Sequence, residues 1–132
     1  MAQKTDSTVL FSQQKTACYG YCPTYELKVF KDGRVELHGE ANVDLIGLYT
    51  SRLNELELTY FRQEFEKIGF FELKDRYDKD VSDLSTTYIY FNNGSQSKKI
   101  MDYYGAPATL KRLEKELEGL LKKLEWKAVK DQ

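Results

Sequence analysis

Histidine occurs once in the 132 residues, as His38, and cysteine and proline occur twice each. With one imidazole, a Ser-His-Asp or Cys-His relay has no other base to draw on. No G-x-S-x-G, phosphate-loop, dinucleotide fingerprint or H-E-x-x-H pattern is present, so hydrolases and nucleotide enzymes lose their usual signatures. Two cysteines are too few for the disulfide-dense secreted class, although an even count at close spacing permits one bridge. Neither sign of charge dominates: 20 Lys and Arg stand against 21 Asp and Glu. That balance supplies no basic field for nucleic acid or an anionic membrane. No apolar run has the length of a membrane span, and "MAQKTDSTVLF" lacks the basic start and apolar centre of an export signal. A removed signal leaves no trace in the mature part, so the compartment stays open. Repeats, low-complexity tracts and Pro/Ser-rich linkers are absent, which argues for one domain over 1–132 with an ordered core of about 7–126.

Aromatic residues are plentiful, ten Tyr and seven Phe, enough to build a core and to exclude disorder. Period-two alternation predicts strands at 7–14, 24–30 and 34–39, with Asp32-Gly33 as the hairpin turn between the last two. A fourth strand is expected over 43–53, with Gly47 marking a bulge or bend. Asn54 and Glu57 have the spacing of a capping box, and Leu58, Phe61, Phe65 and Ile68 form the apolar stripe of the helix that follows. Gly69 suits its end. After a polar loop over 74–83, strands at 86–91 and in "QSKKIMDYY" are joined by Asn-Gly turn chemistry. Aromatics on both faces of this second hairpin predict a central or doubly covered position.

Pro107 suits the first turn of a last helix. Leu110, Leu113, Leu117, Leu120 and Leu124 form its apolar stripe, and Lys111, Arg112, Glu114, Lys115, Glu118 and Lys122 are assigned to solvent, with Glu118 and Lys122 as an i,i+4 pair. Over so short a span the stripe reads as a face docked on a sheet rather than a coiled-coil seam. The expected fold is a two-layer α+β domain of order β-β-β-β-α-β-β-α, with an antiparallel sheet of five or six strands and both helices on one face.

His38, out of phase with Val35 and Leu37, reads as solvent-facing. Asp75, Asp78, Asp80 and Asp83 crowd one loop, but counting an EF-hand from Asp78 puts Asp83 where Gly is required and Ile89 where Glu is required. They read as turn-capping carboxylates. Tyr88, Tyr90, Tyr103 and Tyr104 either form an aromatic surface for a glycan or protein or pack within the sheet.

"TACYGYCPTY" (16–25) is the sharpest feature. Gly20 permits a turn that brings the Cα atoms of Cys18 and Cys22 within disulfide range, and Pro23 sends the chain into the next strand. In an oxidising compartment the pair is expected to form a structural disulfide; the alternatives are a reduced pair, or a thiol-based metal or redox site with His38 as third ligand. Cys-x-x-x-Cys-Pro also resembles the copper-handling motif of thioredoxin-like proteins that assemble cytochrome oxidase. There the motif opens a helix within a βαβ unit, whereas here it opens a strand.

A broader resemblance runs from Thr16 to about Glu118. "TACYGYCPTYELKVFKDGRVELHG", "FEKIGFFEL", "SDLSTTYIYF" and "MDYYGAPATLKRLEKELE" are similar to an uncharacterised bacterial family, of Bacteroidetes type, with C-x-G-x-CP-x-Y and D-Y-x-G-A-P motifs. Cys18, Gly20, Cys22, Pro23, Tyr25, Asp83, Tyr103, Gly105 and Pro107 occupy the motif positions. Members often follow a signal peptide or lipoprotein anchor, so the resemblance implies a periplasmic, secreted or lipid-anchored location, and no reaction. Together these observations predict a non-catalytic module without cofactor that binds a protein or cell-surface component and no nucleic acid.

Overall fold

Alternating apolar side chains fold the first half of the chain into a meander, β1 (Val9–Lys15), β2 (Thr24–Phe30), β3 (Arg34–Ala41) and β4 (Gly47–Arg52), each antiparallel to the next. The structure, a computed structural model, describes residues 6–79 and 84–130. Helix α1 (Glu55–Lys67) and a 3₁₀ turn (Phe70–Glu72) follow, then β5 (Arg76–Tyr77), β6 (Thr87–Asn92), β7 (Ser97–Asp102), α2 (Ala108–Lys123) and β8 (Lys127–Ala128). The eight strands among the described residues form one sheet in the order β5-β7-β6-β1-β2-β3-β4-β8.

The α+β class and the largely antiparallel sheet agree with the sequence, but the expectation of five or six strands in the order β-β-β-β-α-β-β-α is corrected. The two additional strands, β5 and β8, have two residues each and carry no period that a sequence could display. One of them, β5, runs parallel to β7, the exception to antiparallel pairing among the described residues. The expected fourth strand is also shorter. Residues 43–46 form an irregular approach to it, in which Val43 and Leu45 pack against the core.

Both faces of the capping box close: the Asn54 N–H donates to Glu57 Oε1 and the Glu57 N–H to Asn54 Oδ1, each at 2.9 Å. This occupies donors that a helix start otherwise leaves bare. Leu58, Phe61 and Phe65 point inward from α1, as Leu110, Leu113, Leu117 and Leu120 do from α2. On the sheet, Phe11, Leu27, Val35, Leu37, Ile89 and Phe91 meet them. Phe65 stacks on Phe91 with ring centroids 4.4 Å apart, within a cluster that includes Phe11, Phe61 and Phe70. Each fully buried ring or leucine contributes roughly 1.5–3 kcal/mol of apolar transfer free energy. The alternate positions, among them Gln14, Glu26, Lys28, His38 and Tyr90, lie on the opposite face and are half-buried or exposed. Both helices therefore cover one face, and the other carries no helix among the described residues.

Close packing also explains one small residue. A Cβ on Gly39 would lie 1.7 Å from the Leu45 carbonyl oxygen, so the approach to β4 requires glycine there.

Candidate functional site

At one end of the sheet the β1–β2 connection, the start of β6, the end of β7 and the start of α2 come together. Thr16 ties the first two: its N–H donates to the Thr86 carbonyl at 3.0 Å, and the Thr86 N–H returns to Thr16 Oγ1 at 3.0 Å. Ser85 Oγ donates to the Thr16 carbonyl at 2.7 Å.

From this base the chain rises into residues 18–22. The sulfurs of Cys18 and Cys22 are at bonding distance with Cα atoms 5.7 Å apart, inside the disulfide range. Gly20 sits at φ +142° with nothing within 4 Å of where a Cβ would stand, so its requirement is conformational rather than steric. Its N–H donates to the Cys18 carbonyl at 3.0 Å, which tightens the loop. Thr24 Oγ1 and Asn42 Nδ2 both donate to the Cys22 carbonyl, at 3.1 and 3.2 Å. Pro23 lies half-buried beneath, lining a groove with Val43, Leu45 and Leu121. The loop so held lifts Tyr19 and Tyr21 into solvent, 87% and 95% exposed.

Tyr25, the second residue of β2, is the opposite case at 1% exposure. Burial pushes its phenol up, so the hydroxyl stays protonated. It accepts a hydrogen bond from Gln13 Nε2 at 2.8 Å, and the same amide nitrogen donates to the Glu114 carbonyl of α2 at 3.1 Å. Glu114 is itself buried, as is Asp102 at the end of β7. Lys111 Nζ reaches both, 3.0 Å from Asp102 Oδ2 and 3.3 Å from Glu114 Oε1. Burial, and then a hydrogen bond with Asp102, push the Glu114 carboxyl up to about 8. Burial pulls the Lys111 ammonium down, but Asp102 and Glu114 outweigh it and the net shift is upward.

The expected solvent position of Glu114 is thus corrected, and Glu118 reaches Lys15 at 3.6 Å rather than serving the expected Lys122 pair. The signal was present in the spacing, because Glu114 is four residues after Leu110 and three before Leu117, on the apolar stripe itself. Asp102 likewise shares the inward parity of Ile100, and Gln13 that of Phe11.

The remaining candidates disperse. Pro107 is the residue just before α2, at φ −61°, one position earlier than expected. Gly105 is exposed at φ +85° in the turn that leads there. Tyr103 is half-buried and Tyr104 47% exposed, and the backbone N–H of each donates to the Tyr77 carbonyl. Asp80 and Asp83 lie outside the described residues. Asp75 faces Lys98 at 3.3 Å and Asp78 faces Arg76 at 2.8 Å, so these two carboxylates are engaged with cations. His38 is exposed opposite Glu26 and Leu48 on the helix-free face, and the described residues gather no set of three or more His, Cys, Asp or Glu with metal-site geometry. Cys18, Cys22 and His38 are therefore not brought together as one ligand set. Among the described residues, no helix is long and apolar enough to cross a membrane.

Fold and site together define a two-layer α+β domain with a half-covered sheet and a cysteine-closed loop at one end. The chain belongs to the family described as Domain of unknown function (DUF6438), whose model matches residues 9–121. No match to the chain is found among curated proteins or among solved structures.

Proposed function

We propose that the chain is a non-catalytic binding module of the bacterial cell envelope, and that the loop 18–22 is the surface with which it engages a protein or cell-surface component. The observation that carries this reading is the pair Tyr19 and Tyr21, fully presented on a loop closed by Cys18–Cys22 and braced at both ends. Tyrosine offers a large amphipathic area with few rotatable bonds, and a loop already ordered loses little entropy on binding. Apolar rings held this far into water have no role in the core, which is complete beneath them. Placement outside the cytoplasm fits a bridged cysteine pair, since reducing compartments keep thiols apart.

The test compares wild type with the Tyr19→Ser/Tyr21→Ser double variant, immobilised and presented with native envelope extract. A partner retained by wild type and reduced at least tenfold on the variant, with an unchanged melting temperature, is the expected outcome. Equal retention would remove the loop from the interface. Turnover by the purified domain on a hydrolase or oxidoreductase substrate panel would overturn the non-catalytic reading.

A further inference from the structure

Two carboxyl groups buried beside one ammonium leave an unbalanced charge beneath α2. The side chain of Asp102 is 1% exposed and that of Glu114 5%, whereas Lys111 reaches in from a 55% exposed position. Lys111 satisfies Asp102 Oδ2 and Glu114 Oε1, which leaves Asp102 Oδ1 and Glu114 Oε2 buried with no donor among the described residues. Neither Gln13 nor Tyr25 is bonded to these two oxygens, and the Gln13 amide nitrogen is committed to Tyr25 and the Glu114 backbone while its Oε1 is itself an acceptor. Lys15 of β1 faces Glu118, one turn away. Two anions with one cation and two acceptors facing no donor is a costly arrangement in a low-dielectric interior.

We propose that Asp102 and Glu114 hold one proton between them at neutral pH, and that this acid–carboxylate bridge is a pH-sensitive latch fastening the first half of α2 to the end of β7. Glu114 Oε2–H donates to Asp102 Oδ1, so a single proton satisfies both orphan oxygens and leaves one negative charge opposite Lys111. When the proton departs to solvent, two carboxylates face one ammonium and the contact between α2 and β7 turns repulsive. The same segment of α2 holds Gln13, and Gln13 holds Tyr25 at the foot of the cysteine loop, so loosening there removes support from that loop.

The sign follows from burial. Glu114 keeps its proton in the folded chain at pH values where the unfolded chain, titrating near 4.5, has lost it. Stabilisation from the bridge is complete below about 4.5 and disappears as pH rises through about 8.

Thermal melts of the whole chain from pH 5.5 to 9, for wild type, Glu114→Gln and Asp102→Asn, test the latch. The expected result is a wild-type melting temperature that falls across this range and a clearly flatter profile in Glu114→Gln, whose amide carries a donor that cannot titrate away. A wild-type slope carried over unchanged into both variants overturns the proposal, as does a flat wild-type profile. Should neither variant fold, infrared difference spectra of wild type decide. A protonated-carboxyl C=O band present at pH 7 and lost by pH 9 supports the latch, and its absence at pH 7 refutes it.

Discussion

The Cys18–Cys22 bridge closes a loop of five residues, and so short a loop constrains the unfolded chain little. The chain-entropy estimate is about 2 kcal/mol. Its backbone is also held by Thr24, Asn42 and the Gly20 N–H independently of the sulfurs. The bridge therefore orients Tyr19 and Tyr21 more than it secures the fold. Replacing both cysteines with serine is expected to lower stability by about 2 kcal/mol or less, leaving a folded chain whose loop residues exchange amide protons faster. Urea melts and hydrogen exchange on the double variant measure the two effects separately, and a loss of folding would show that the bridge supports the whole sheet. At this scale the sequence was informative where a residue type has one physical use. Gly20 before a second cysteine implied a tight turn, and the turn is there. The exposure of Tyr19 and Tyr21 was not readable, because the same ring serves core and surface alike and only the completed packing beneath them shows which.

Helices and strands divide by length into those a sequence displays and those it does not. Strand β2, the Asp-Gly and Asn-Gly hairpins and both helices carry several turns or alternations, so their periods were plain. The pairs Arg76–Tyr77 and Lys127–Ala128 become strands only because a longer neighbour offers hydrogen-bonding groups. The buried polar network escaped for another reason: a carboxylate on an apolar stripe conflicts with the hydrophobic pattern, and assigning it to solvent is the ordinary resolution. Local signals and packing also differ in energy. Asn54→Ala removes the α1 cap at an expected cost of about 1 kcal/mol. Leu117→Ala empties a fully buried position and is expected to cost about 2–5 kcal/mol. Chemical denaturation of the two variants checks the order, and a capping cost equal to the cavity cost would mean that α2 packs far more loosely than its burial implies.

The open sheet of the described residues has two edges, and each is guarded by a short strand. Beside β7 stands β5, and beside β4 stands β8, whose approach is fastened by Ser51 Oγ donating to the Glu125 carbonyl at 2.7 Å and Trp126 Nε1 donating to the Leu121 carbonyl at 3.1 Å. Bare edges are templates for pairing with another chain, and short capping strands are one way to blunt them. The family match ends at residue 121, before this device, so β8 lies outside the part that the family model describes. A chain ending at Leu124 retains α2 and every fully buried side chain but loses the Trp126 packing and exposes the outer groups of Leu48, Tyr49 and Thr50. It is expected to fold with a lower melting temperature and to self-associate in a concentration-dependent way that the full chain does not show. Sedimentation or light scattering across a concentration series, alongside thermal melts, measures both. A truncated chain that stays monomeric at every concentration would show that β4 is protected by its own twist and side chains, and that β8 is only an appendage.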